Sequence, residues 1–192
     1  MWKNRLIRAG GALLALLLVS VLVIRSSDAV FSGTTSNSGD SWAAGSVTLS
    51  DDDSNTAMFN TTGMLPGDTV THCITVTYNG SANPRAVKLY SAGITDGGLG
   101  QYLNLTVAEG SSGGGSYASC TGFNLLNTIY TGTVANFATT STNYTNGVGV
   151  FDPSATGQAR VYRFTVTLDA ATPNTAQLAS AQAGFTWETQ SS

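Results

Sequence analysis

The chain has a single histidine, His72, and only two cysteines, Cys73 and Cys120, in 192 residues. A catalytic zinc site needs two or three His or carboxylate ligands converging on the ion, with one position left open. A lone imidazole therefore argues against the common zinc hydrolases, and no metal or other cofactor is expected. Nucleophilic catalysis is disfavoured for the same reason, because a Ser-His-Asp arrangement would have to borrow His72. The expected role of that residue is a partly buried imidazole with a hydrogen-bond partner on the apolar face of a strand. Basic residues are also scarce. Beyond residue 29 only Arg85, Lys88, Arg160 and Arg163 remain, against ten acids, a net charge of −6. A surface of that sign repels nucleic acid and anionic lipid.

Long apolar runs are missing except at the start, where Ala9 to Ile24 follows Lys3, Arg5 and Arg8. A bilayer crossing takes about 20 apolar residues. This run is shorter and contains Gly10 and Gly11. With small residues at Ser27 and Ala29, it reads as a signal peptide over 1–29, cleaved between Ala29 and Val30; a retained membrane anchor is the alternative. Membrane contact is then confined to this segment before cleavage. Removing 29 of 192 residues leaves 163, enough for one domain with a sizeable core. Outside the cell Cys73 and Cys120 are expected to oxidise to each other.

What the exported part has in quantity is period-two alternation carried by Thr, Val, Tyr and Phe. Val70 to Tyr78 alternates cleanly between Pro66-Gly67-Asp68 and Asn79-Gly80, and Arg160 to Leu168 does the same. Weaker strand signals cover Ser46 to Ser50, Ala57 to Thr61, Ala86 to Ser91, Tyr102 to Val107, Asn127 to Thr131 and Ala183 to Thr189. About eight strands parted by Gly, Ser and Asn clusters predict an all-β, two-sheet antiparallel sandwich over 30–192, with at most one or two short helices. The Ala-rich Asn174 to Gln182 is the helix candidate, while Gly110 to Ser116 and Thr139 to Asn146 read as irregular. Strict alternation puts Cys73 on the threonine face of its strand, away from Ile74 and Val76. A β-bulge near His72 would reverse that.

Acidic residues offer few sites. Asp51-Asp52-Asp53 has the chemistry of a calcium ligand set, but neighbouring side chains of an extended segment point to opposite faces, so a solvated turn is the expectation. Asp68, Asp96, Glu109, Asp152, Asp169 and Glu188 would have to supply any glycosidase pair. Most lie in or beside turns, where Asp bonds locally. Trp42, Tyr117, Tyr144 and Trp187 offer stacking surfaces for sugars, with Trp187 assigned to the core because it alternates with Phe185.

The segments Ala29-Val30-Phe31-Ser32-Gly33-Thr34-Thr35-Ser36 and Trp42-Ala43-Ala44-Gly45-Ser46-Val47-Thr48-Leu49, the turn Leu65-Pro66-Gly67-Asp68 and the closing Phe185-Thr186-Trp187-Glu188 resemble the TasA and camelysin family of Gram-positive bacteria. The resemblance implies a jelly-roll-like sandwich, export through a dedicated signal peptidase, and subunits joining into biofilm matrix fibres. That family also carries a peptidase label, for which this sequence has no zinc-motif residues. The resulting expectation is a secreted, non-enzymatic fibre subunit that joins copies of itself, with other matrix proteins as further partners. Segment 30–44 is expected to be its extended N-terminal arm, with Val30, Phe31, Ser32, Gly33, Thr34 and Thr35 adding as a strand to the next subunit; folding back on its own sheet in the monomer is the alternative. The alternatives are a monomeric surface module for a sugar or host ligand and, behind it, a hydrolase.

Overall fold

Strands form where the alternation is cleanest. The computed structural model describes residues 45–54, 59 and 63–192. The 1–29 signal, the Ala29–Val30 cleavage site and the joining residues Val30 to Thr35 lie outside the described residues, as does all of the expected strand Ala57 to Thr61 except Phe59. One compact unit spans Ala43–Ser192.

Seven strands are described: β1 (Leu49–Asp51), β2 (Thr69–Tyr78), β3 (Lys88–Asp96), β4 (Leu103–Gly110), β5 (Leu125–Thr133), β6 (Ala159–Leu168) and β7 (Ala181–Glu188). They form a sandwich of two antiparallel sheets, a five-stranded one in the order β1-β2-β6-β4-β5 and a two-stranded one of β3 and β7. One short α-helix, α1 (Val134–Thr140), follows β5, and the expected Asn174 to Gln182 helix is a single 3₁₀ turn at Asn174–Ala176. No helix among the described residues is long and apolar enough to cross a membrane.

The turn before β2 shows how local chemistry sets a strand's start. Pro66 fixes φ at the first central position and Gly67, at φ +94°, takes the left-handed conformation that the second requires. Asp68 N–H then donates to the Leu65 carbonyl at 2.9 Å, and the Asp68 carboxylate accepts from Leu65 N–H at 2.7 Å. From there β2 pairs with β6 in unbroken register, Thr69 opposite Thr167 through Thr77 opposite Ala159.

That register divides the residues between two faces. Inward, Ile74 and Val76 cluster with Tyr162 and Phe164 of β6 and Leu105 and Val107 of β4, all buried. Full burial of each such side chain contributes about 1.5–3 kcal/mol. The small sheet closes the core with rings: Phe185 lies 4.7 Å from Phe164, and Trp187 lies 5.5 Å from Tyr162. Helix α1 adds Phe137, edge-on to Tyr130 at 4.9 Å and 5.7 Å from Phe185. Outward, threonines pair across the β2–β6 ladder, Thr69 with Thr167 at 2.8 Å and Thr71 with Thr165 at 3.3 Å.

Candidate functional site

Among the described residues, strand β7 is paired on one side only. Its partner is β3, and along its other edge no described residue bonds to its backbone. The outer edge of β3 is covered: Leu89 exchanges bonds with Val148, Val87 N–H donates to the Phe151 carbonyl, and Ser91 N–H donates to the Ser141 carbonyl. No described residue covers β7 in this way.

Between β7 and the large sheet lies a groove of about 430 Å³, lined in part by Phe59 and Met64 from the segment before β2. Val70 of β2, Val166 of β6, Leu103 of β4 and Val134 of α1 line it, with Phe185 and Trp187 of β7. The composition of β7 explains the space. Its second half carries the two rings that fill the core, whereas Ala181, Ala183 and Gly184 leave room. An edge strand with unsatisfied N–H and C=O groups, set over an apolar floor, is what an added strand requires. Backbone bonds supply affinity, and alternate side chains drop into the groove.

The cysteines lie elsewhere. Cys73 is bonded to Cys120 across 47 residues, with Cα atoms 5.1 Å apart. Cys73 stands opposite Arg163 on the outward face of the large sheet, on the threonine side that strict alternation gives. It is nonetheless fully buried, because the loop from Ser111 to Asn124 folds over it. Ala118 N–H donates to the Cys73 carbonyl at 2.9 Å, and the Arg163 guanidinium stacks 4.3 Å above Phe123. Gly115, at φ +121°, passes so close that a Cβ there would stand 3.1 Å from the Ser119 carbonyl oxygen and 3.5 Å from Cys73 Cβ. The bridge fastens a loop to the outside of the sheet.

His72 is half-buried opposite Phe164, with its ring 5.0 Å from Phe59. The hydrogen-bond partner expected for it is not found, since Nδ1 is buried with no partner among the described residues. An aromatic contact takes its place.

The aspartate run is more than a solvated turn. Asp52 Oδ1 accepts from Thr75 N–H and Oδ2 from Tyr117 N–H, both at 2.8 Å, which ties β2 to the disulfide loop. Partial burial, followed by neighbouring Asp53, holds the Asp51 carboxyl above its ordinary range. Among the described residues no three His, Cys, Asp or Glu side chains converge as a metal site would require.

Turn bonding accounts for three of the six candidate acids, Asp68, Asp96 and Asp169. Asp96 Oδ1 accepts from Gly98 and Gly100 N–H at 2.8 and 2.9 Å. Asp169 accepts from Ala171 N–H, which together with Asn104 keeps its carboxyl below the usual range. Glu188 takes the Tyr90 hydroxyl at 2.7 Å and pushes the Tyr90 ionisation upward. Trp187 packs in the core, the Tyr144 hydroxyl donates to the Ala86 carbonyl at 3.0 Å, and Trp42 lies outside the described residues.

Glu109 fits no turn. It is fully buried on β4 opposite Tyr162, and its Oε1 accepts from Val150 and Phe151 N–H at 2.9 and 3.3 Å. Gly149, at φ +126°, passes just above it, where a Cβ would come within 2.7 Å of the Val87 carbonyl oxygen. The carboxylate thus holds the 149–151 segment against β4. Nothing in the sequence set Glu109 apart, since the strand expected over Tyr102 to Val107 stops short of it whereas β4 runs on to Gly110. The β7 edge carried no sequence signal either, since a strand's missing neighbour is a property of topology.

Compared with known proteins, the chain matches no family model and no curated protein.

Proposed function

We propose that the chain is a secreted structural subunit of extracellular matrix or surface fibres, in which each copy adds Val30 to Thr35 as a strand to the β7 edge of the next. Phe31 enters the apolar groove, and backbone groups of β7 complete their hydrogen bonds with the incoming segment. The observation that carries this reading is the β7 edge, unpaired among the described residues, beside a groove lined by Val70, Val166 and Phe185.

Three further features support it. The disulfide suits an oxidising compartment. The resemblance of the Val30 to Leu49 and Leu65 to Asp68 motifs to the TasA and camelysin family points to matrix fibres. Three of the six acids available for hydrolysis, Asp68, Asp96 and Asp169, are engaged by turn N–H groups.

The test is size-exclusion chromatography and electron microscopy of the oxidised chain beginning at Val30. Concentration-dependent growth into fibres supports a structural subunit. A monomer at every concentration turns the reading toward a single-copy binding module.

A further inference from the structure

Four strands of the large sheet carry one three-residue pattern. Thr69-Val70-Thr71 lies on β2, Thr165-Val166-Thr167 on β6, Asn104-Leu105-Thr106 on β4 and Thr131-Gly132-Thr133 on β5. The registers bring the four into line. Thr71 stands opposite Thr165, Thr165 opposite Thr106, and Thr106 opposite Thr131. Thr69, Thr167, Asn104 and Thr133 form a second rank in the same way. The intervening Leu105 and Val166 turn to the core, so both ranks stand on the outer face. Nothing described lies over them: Thr69, Thr71, Asn104 and Thr131 are exposed, and the other four are half-buried by their own neighbours. One rank further along, at Cys73 and Arg163, the disulfide loop covers the sheet and the array stops.

The side chains of this array are held in place. Threonine is stiff at χ1, and the Thr69–Thr167 and Thr71–Thr165 hydroxyl pairs, at 2.8 and 3.3 Å, fix it further. Asn104 Nδ2 is held by the Asp169 carboxylate at 3.2 Å, and the Thr133 hydroxyl by Asn136 N–H at 3.1 Å. No Lys, Arg, Asp or Glu occupies any position of the two ranks, and no aromatic ring does. A macromolecule recognised by charge therefore finds no partner group within the array, and a sugar finds no ring to stack on. What the face does offer is a lattice. Its repeats are about 6.8 Å along a strand and about 4.8 Å between strands, over a width of about 14 Å. Both repeats lie close to those of the oxygen atoms on a prism face of hexagonal ice. Each threonine sets a hydroxyl that donates and accepts beside a methyl group that orders the water around it. Strand twist confines a lattice match to a small area, and this one is two ranks deep.

We propose that this threonine face is a binding site for crystalline water, and that the protein adsorbs through it to the surface of ice. The fixed hydroxyls anchor the ordered water layer, and the methyl groups fill the spaces between its molecules. A charged side chain in the array would hold its own hydration shell and break the layer. The proposal stands apart from strand addition, since β7 belongs to the other sheet.

The experiment grows ice slowly from a dilute solution of the oxidised chain beginning at Val30 and measures how the protein divides between ice and liquid. Three variants accompany wild type: Thr71→Lys/Thr131→Lys at two exposed positions, Thr165→Tyr at the centre, and Thr128→Lys, exposed on β5 outside the two ranks. Denaturation midpoints verify that each is folded. The expected result is that wild type and Thr128→Lys are taken up into the ice and slow its recrystallisation. The two array variants should show uptake reduced about tenfold. Wild type left in the liquid overturns the proposal, and equal uptake of all four forms overturns the assignment to this face. If wild type stays in the liquid and the array variants sediment as smaller species than wild type, the face joins copies of the chain and ice binding is wrong.

Discussion

The Asp52 carboxylate accepts the Tyr117 backbone N–H at 2.8 Å, across 65 residues of sequence. Its other oxygen takes Thr75 N–H, so a side chain continues the hydrogen bonding of the sheet where three-residue β1 ends. Asp52→Ala leaves both donors to water and is expected to cost about 1.5 kcal/mol. The loss should appear in chemical denaturation and as faster amide exchange in the loop around Tyr117. Asp52→Asn keeps one acceptor and should fall between the two.

The Cys73–Cys120 bridge closes a loop of 47 residues. Changing both to serine is expected to lower stability by about 4 kcal/mol in the chain-entropy model. Because the bridge holds an outer loop and not the inter-sheet core, exchange should speed up most between Ser111 and Asn124, where local opening adds to the global loss that β4 and β6 also show. Hydrogen exchange on the reduced protein checks this. Equal loss of protection in the core strands would show that the bridge supports the sandwich itself.

Calcium should leave the melting temperature unchanged, since both Asp52 oxygens already accept backbone N–H groups and, among the described residues, the three aspartates do not converge with other ligands. A rise of several degrees in millimolar calcium would contradict this.

Tyr162 is buried opposite Glu109, and its hydroxyl has no hydrogen-bond partner among the described residues. Burial, reinforced by the Glu109 charge, holds its ionisation well above the ordinary 10.0. A raised folded-state value means that the stability Tyr162 contributes is complete below pH 10 and is lost as pH rises beyond it. Tyr90 and Tyr130 are raised in the same direction. Tyr162→Phe should therefore be neutral or stabilising at pH 7 and should flatten the alkaline loss, measured by denaturation midpoints on either side of pH 10. Glu109→Ala, which strands the Val150 and Phe151 N–H groups, should destabilise at every pH.

Alternation made β2 and β6 legible almost to the residue, since each has one apolar face and turn formers at one or both ends. It also assigned Cys73 to the threonine face without a bulge. The ends of weaker strands were not legible, for identifiable reasons. Ser46 to Thr48 reads as strand, but the Ser46 carbonyl is used by Ser81 and Ala82, so pairing starts only at Leu49. β3 continues to Asp96 past the irregularity between Ser91 and Gly93, a glycine at φ +122° that breaks the pattern. Helix α1 is seven residues of weak helix formers, held by the Thr133 cap on Asn136 N–H and the burial of Val134 and Phe137. Only the Thr133 cap and the Val134–Phe137 spacing hinted at it. The tie from Asp52 to Tyr117 was invisible, because its partner is a backbone group that any residue could supply.

Strand addition meets its most direct test in the oxidised chain beginning at Val30, compared by electron microscopy with a form lacking Val30 to Ser38 and with Phe31→Asp. If Phe31 and its neighbours complete the β7 edge of the next subunit, wild type forms fibres, and both altered chains remain folded, disulfide-bonded monomers. Fibres growing as readily without Val30 to Ser38 would contradict strand donation from the N-terminus and place the joining surface elsewhere.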